Sequence, residues 1–209
     1  MKVEKFLYND VDELLANTYV VSDDNGHAII IDPSADNERV GDYLEKNGLK
    51  PVAILLTHGH FDHIRGVNRL INRFNLPIYI NFEDKEFLKD SSLNCSDYEN
   101  VTVEVEPLTI VDNDELNLLD RDTIKVIHTP FHTAGSSCYY LKNNNILFTG
   151  DTLFKMSIGR SDLPTGDFHK IKSSLEKLKN LPKDTKIYPG HGPNTSLGFE
   201  LMLNNFFKM

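Results

Sequence analysis

Short apolar runs recur along this chain, and several end in turns rich in His, Asp and Gly. Val52-Ala53-Ile54-Leu55-Leu56 leads into Thr57-His58-Gly59-His60-Phe61-Asp62-His63. Ile124-Lys125-Val126-Ile127 leads into His128-Thr129-Pro130-Phe131-His132-Thr133. Asn145-Ile146-Leu147-Phe148 leads into Thr149-Gly150-Asp151-Thr152, and Thr185-Lys186-Ile187-Tyr188 into Pro189-Gly190-His191-Gly192-Pro193. Runs this short, bounded by turn formers, read as strands rather than helices. The pattern predicts strands at 2–7, 18–22, 27–31, 52–57, 78–80, 108–110, 123–127, 138–141, 145–148 and 186–188. It predicts helices at 37–47, 63–74, 83–89, 167–178 and 196–207, the first closed by Gly48 and the fourth capped by Asp167. Hairpin-like neighbours alternate with βα steps, so the class is α/β with no requirement for a purely parallel sheet.

The turns change the picture from scaffold to chemistry. Positions 58–63 hold three imidazoles and a carboxylate, the neutral nitrogen and oxygen donors that zinc, iron and manganese prefer. A rigid strand followed by a ligand-dense loop holds a metal firmly and leaves it reachable. If the four strand ends meet, they deliver His58, His60, Asp62, His63, His132, Asp151 and His191. That set is too large for one tetrahedral ion and suits two ions sharing a ligand. A carboxylate can bridge where an imidazole cannot, which makes Asp151 the expected bridge. Gly150, Gly190 and Gly192 lack a Cβ and let the backbone come close to an ion.

The His-x-His-x-Asp-His run, followed in order by His132, Asp151 and His191, resembles the metallo-β-lactamase superfamily. The stretches 149–154, 158–164 and 188–193 resemble its short, single-domain glyoxalase II-like hydrolases, and the similarity runs from about Asn17 to Phe206. The resemblance implies a four-layer αβ/βα sandwich with the metals at one edge of two facing sheets. It implies two divalent metal ions, zinc first with iron or manganese as alternatives. One would be held by His58, His60 and His132, the other by Asp62, His63 and His191, with Asp151 shared. The implied activity is hydrolysis of a small thioester, such as S-lactoylglutathione or a related acyl thioester, by a hydroxide bridging the ions. Asp62 and Asp151 would hold the ions and orient that hydroxide. The alternative is a mono-iron persulfide dioxygenase, whose family shares the ligand motif.

Several residues carry further expectations. Phe131 stands where the family usually has Gly, and its ring is expected to line the pocket and alter substrate choice. Arg160 is expected to meet a carboxylate of the substrate, against a plain salt bridge to Asp162 or Asp167. Asp32 could hold the second N–H of a ligand imidazole, or simply form an Asp-Pro turn. Thr57 is expected to orient its loop, and His128 to support a ligand or serve structure alone. Full-length glyoxalase II carries a C-terminal helical domain that helps to hold glutathione; this chain ends at Met209 without one, which puts glutathione recognition in question.

Composition fits one compact enzyme domain spanning 1–209, with 40% hydrophobic and 25% charged residues. A net charge of −9, from 22 basic and 31 acidic residues, lacks the basic footprint of a nucleic-acid binder. Small acyl thioesters or esters are the expected partners. The charged N-terminus is unlike a signal peptide, and the apolar runs are too short to span a bilayer, so a cytoplasmic protein without membrane attachment is expected. The same reading counts against a secreted β-lactamase. Cys95 and Cys138 are expected to be free thiols away from the ligand turns. Phe199, Leu201, Leu203, Phe206 and Phe207 could pack inward or form the seam of a homodimer.

Overall fold

The structure is a computed structural model that describes residues 1–8 and 15–209. Its described strands form two six-stranded sheets. The first runs in spatial order β1 (Lys2–Phe6), β2 (Thr18–Ser22), β3 (His27–Ile31), β4 (Lys50–Leu55), β5 (Ile78–Asn81) and β6 (Leu108–Ile110). Its first three strands are an antiparallel meander, and β3 to β6 are parallel. The second consists of β7 (Glu115–Leu119), β8 (Asp122–His128), β9 (Ser137–Leu141), β10 (Ile146–Gly150), β11 (Lys186–Pro189) and β12 (Thr195–Ser196), also in sequence order across the sheet. Only its β10–β11 pair is parallel.

Alternation along the strands sorts their side chains into three apolar layers, because successive residues point to opposite faces. Val20, Ala28, Ile30 and Ile54 face outward from the first sheet, against α1 (Arg39–Lys46), the single turn α2 (Phe61–Ile64) and α3 (Val67–Phe74). Tyr19, Val21, Ile29, Ile31, Ala53 and Leu55 face inward and meet Ile124, Val126, Tyr139, Leu141 and Phe148 of the second sheet. Ile127, Cys138, Tyr140, Leu147 and Ile187 form the outer face of that sheet, under α4 (Ile171–Lys179) and α5 (Leu197–Leu203). The result is the expected four-layer αβ/βα sandwich. No helix among the described residues is long and apolar enough to cross a membrane.

Differences from the predicted elements have local causes. The helix predicted at 63–74 breaks at Gly66, whose amide donates to the Pro33 carbonyl at 2.8 Å. A Cβ there would strike the Ala35 carbonyl, so the chain bends where the two segments touch. The predicted helix at 83–89 is a 3-10 helix, Phe82–Leu88, capped by Asn81. Asp167 caps as expected, although a 3-10 turn (Phe168–Lys170) precedes α4. The last helix stops at Leu203 and resumes as a 3-10 turn, Asn205–Lys208. Strands β7 and β12 were not predicted. The first alternates exposed with part-buried residues at a sheet edge, and the second is two residues long.

Strands β3, β4, β8, β10 and β11 all end at one edge of the sandwich. Ligands commonly bind outside the carboxyl ends of strands, and the residues that follow these five ends are Asp32, 57–63, 129–132, Asp151 and 190–191.

Candidate metal centre

The centre assembles from the first sheet outward. Asp32, just past β3, sits at φ 49°, a left-handed conformation uncommon for a residue with a side chain. Its Oδ1 accepts from the Thr57 amide at 2.8 Å and its Oδ2 from the Thr57 hydroxyl at 2.6 Å. The same Oδ2 accepts from His63 Nδ1 at 2.9 Å. Thr57 Oγ1, having given its proton to Asp32, accepts from His58 Nδ1 at 3.2 Å. One carboxylate thereby fixes two imidazoles with Nε2 directed inward, their tautomers following from these partners.

The second sheet supplies the rest. His132 donates from Nδ1 to the Arg160 carbonyl at 2.7 Å, so its Nε2 also points inward. It stands 3.0 Å from His60 Nδ1 and 3.2 Å from His58 Nε2. Asp151 places Oδ2 3.5 Å from His132 Nε2, and Oδ1 3.4 Å from His63 Nε2 and 3.7 Å from His191 Nε2. Asp62 Oδ2 lies 3.1 Å from His191 Nε2 and 3.5 Å from His63 Nε2. Gly190 permits this crowding, because a Cβ there would strike Asp151 Oδ1 and His63. Gly150, at φ 47°, turns the chain from β10 into Asp151.

Burial and the neighbouring imidazoles push the pKa of His58 well below its usual value and hold His60 at about 3. Burial also works to lower His63, yet Asp62, Asp32 and Asp151 together raise it well above. For Asp151 burial works upward, and the imidazoles of His191, His63 and His132 overcome it, keeping the carboxyl ionised.

These donors fit divalent cations. With both Nδ1–H groups given to other partners, the Nε2 lone pairs of His132 and His58 confront each other, and His60 Nδ1 stands beside them, an arrangement that a shared cation resolves. Tetrahedral ligands about 2.0–2.1 Å from zinc stand about 3.3 Å apart, close to the separations seen. The buried His63 Nε2 and Asp151 Oδ1 have no hydrogen-bond partner, nor does His60 Nε2 on the far side of its ring. His58, His60 and His132 form one candidate cluster, Asp62, His63 and His191 a second, and His58, His63 and Asp151 an overlapping third. Asp151 thus lies between the two sets.

Other predicted residues fall elsewhere. Phe131 is fully buried in the outer layer of the second sheet with Ile127, Leu153 and Ile171. It is absent from the cavity wall, and its φ is not positive, so the expectation that it lines the pocket is overturned. The cause is α4, which covers this turn: Ser174 donates to the Pro130 carbonyl at 3.1 Å. His128 bonds Ala134 O at 2.7 Å and no ligand side chain. It braces the loop that carries His132 and does not touch the centre. Arg160 grips Asp162 through bonds of 2.6 and 2.7 Å while lining the cavity over the centre. Cys95, expected to lie away, lines that cavity too. The Asn94 carbonyl accepts from the Phe61 amide at 2.9 Å and draws the loop in.

Asp84 was missed. It is fully buried and accepts from the amides of Gly59 (3.2 Å) and Gly135 (2.7 Å) and from the Thr133 hydroxyl (2.7 Å). It therefore joins the His58–His63 turn to the His132 loop. Nothing in Glu83-Asp84-Lys85-Glu86 distinguishes it from its acidic neighbours.

Residues 11–191 match the family model described as the metallo-beta-lactamase superfamily. The chain belongs to the metallo-β-lactamase superfamily. Among curated relatives of this superfamily member, a probable metallo-hydrolase, YqgX of Bacillus subtilis, is 36% identical over 95% of both chains. The hydroxyacylglutathione hydrolase GloC of Haemophilus influenzae is 33% identical over 92% of both. Among solved structures, the B3 metallo-beta-lactamase BLEG-1 superposes with a TM-score of 0.91, at 35% identity over all of both chains. TTHA1623 in a di-iron-bound form gives 0.83 at 33% identity, over 94% of this chain and 97% of that one. Membership and the His-rich cluster together read as a metallo-hydrolase with a divalent-metal site.

Proposed function

We propose that this superfamily member hydrolyses small acyl thioesters, of the hydroxyacyl-glutathione kind or close to it, in the cytoplasm. The observation that carries the reading is the cavity over the centre. It has a volume of about 360 Å³ and is walled by Phe61, Phe154, Leu163 and Cys95, with the Arg160 cation beside them and His60, Asp62, His132, Asp151 and His191 at its floor. Apolar walls suit a short acyl group, and one guanidinium suits a carboxylate on the thiol portion. The similarity to GloC supports the same substrate class.

Two divalent ions, zinc by preference with iron or manganese as alternatives, would supply Lewis acidity and lower the pKa of a water from about 15.7 toward 7. His58, His60 and His132 would hold one, and Asp62, His63 and His191 the other, with Asp151 between. Asp62 and Asp151, both ionised, are placed to accept hydrogen bonds from an attacking water and so to orient it. Phe61, Phe154 and Leu163 exclude solvent from the acyl group. Arg160 exchanges its exposed pairing with Asp162, an interaction of small net value, for the substrate carboxylate. A departing thiolate, with a pKa near 8.5, leaves without a strong general acid.

Elemental analysis of protein purified without chelator, followed by a substrate panel, tests the reading. The expected result is about two metal ions per chain, hydrolysis of S-lactoylglutathione or another small thioester, and a KM for anionic thioesters that rises in Arg160→Ala while kcat holds. A single iron with oxygen uptake on a persulfide would replace the proposal with a dioxygenase. Turnover of a β-lactam in preference to every thioester would replace it with β-lactam hydrolysis, the activity that BLEG-1 is named for.

A further inference from the structure

The C-terminal helix contains a buried carboxylate that has no cationic partner among the described residues. Glu200, on α5, is fully buried. Its Oε2 accepts from the Met156 amide at 2.8 Å and from Asn204 Nδ2 at 3.0 Å, and its Oε1 from the Thr195 hydroxyl at 2.6 Å. Asn204, equally buried, also donates to the Ser157 carbonyl at 3.1 Å. A buried carboxylate is costly unless its hydrogen bonds are complete, and here one donor, the Met156 amide, belongs to the loop that follows Asp151, while Asn204 ties the same loop through Ser157.

That loop is tightly wound. Phe154 and Ser157 exchange backbone bonds of 3.0 and 3.3 Å, and Met156 between them adopts φ 61°. A left-handed conformation is unfavourable for a residue other than glycine, so the turn needs support from outside itself, and Glu200 holds the strained residue's own amide. Three residues on, Gly159 donates to the Asp151 carbonyl at 3.0 Å. A Cβ on Gly159 would collide with that carbonyl and approach His132 Nδ1 to 3.2 Å. Arg160 then presents its carbonyl to His132 Nδ1. A continuous set of bonds runs from α5 through residues 154–160 to a candidate metal ligand.

We infer that Glu200 and Asn204 are positioning residues for the metal centre: they set the 154–160 loop so that the Arg160 carbonyl fixes the ring and tautomer of His132. Neither touches the ligands. This inference rests on the metal centre and not on the thioester reading, so a failed thioester assay leaves it standing.

The test is stepwise zinc titration of the metal-free chain against a competing chelator, for Glu200→Gln, for the milder Asn204→Ala, and for Ile71→Val as a control. Gln keeps the size of Glu but turns an NH₂ toward donors, while Ile71 packs against the far face of the first sheet. Loss of an outer partner of a metal-bound imidazole costs about 10–100-fold in affinity. The expected result is a loss of that order in one step, the other step unchanged, and a displaced or broadened Nδ1–H resonance of His132. Ile71→Val should lower stability with both steps intact. If Glu200→Gln fails to fold, Asn204→Ala still decides. Lower melting temperature with both zinc steps at the original affinity would make the pair merely structural and overturn the inference. Equal weakening of both steps would overturn it as well.

Discussion

On the first sheet, four candidate ligands come from residues 58–63, a single strand end and helical turn, and Asp32 alone holds His63 directly and His58 through Thr57. On the second sheet, His132, Asp151 and His191 come from three separate strand ends, and remote segments hold each. The Arg160 carbonyl holds His132, and Gly159 ties down the Asp151 backbone. Lys5 and Tyr19 of the first sheet, and Asn17 just before β2, bond the carbonyls of Pro189 and Gly192 on either side of His191. The first half is therefore rigid by adjacency in sequence, and the second by tertiary assembly. Substitutions far from any ligand should disturb the second half and leave the first intact.

The largest effect expected is in the assembled half. Phe131→Ala opens a cavity beneath α4 and should cost about 3–5 kcal/mol of stability, read from denaturant unfolding. Because the ring lies outside the cavity over the centre, relative kcat/KM among short and long acyl thioesters should not change. A shifted preference with stability intact would return Phe131 to the pocket wall.

Next is Asp32→Asn, which strikes the half held locally. An amide cannot accept from Thr57 and His63 as the carboxylate does, and zinc affinity at the His63 cluster should fall about 10–100-fold. The His132 cluster should be affected less, since Asp32 reaches its His58 only through Thr57 and His132 itself is held by the Arg160 carbonyl. Equal losses at both would show that the indirect hold on His58 through Thr57 matters as much as the direct bond to His63.

The smallest effect belongs to Asp84, which touches both halves. Burial raises its pKa to about 6, above the unfolded value near 3.9. A raised native pKa means that the native state binds more protons, so the stabilising contribution is complete below about pH 4 and is lost as pH rises through 6. Asp84→Asn should flatten that part of the pH–stability curve between pH 4 and 6, measured on chelator-treated protein against the parent chain. An unchanged slope would assign the titration to another group.

How much could be read in advance follows the same division. His58, His60, Asp62 and His63 stand out because four donors in six positions are hard to reconcile with packing. Asp32 was one of two readings, since an Asp-Pro pair also makes an ordinary turn, and only the fold brings its carboxylate to Thr57 and His63. Phe131 was misplaced because sequence shows that a residue is apolar, not which of three apolar layers receives it. Glu200 and Asp84 resemble any helix-end acid, as their donors lie 4 to 51 positions away.

The sequence by itself determined the strand-and-turn rhythm, the α/β class, the identity of the donors and their local density at 58–63, because propensity, periodicity and ligand chemistry are properties of neighbouring residues. The tertiary structure alone decided that five strand ends share one edge, that Phe131 falls in the outer apolar layer, and which nitrogen of each held imidazole faces inward. Those outcomes depend on how two sheets stack and on hydrogen bonds closed by packing, and no local pattern encodes contacts between segments so far apart in the chain.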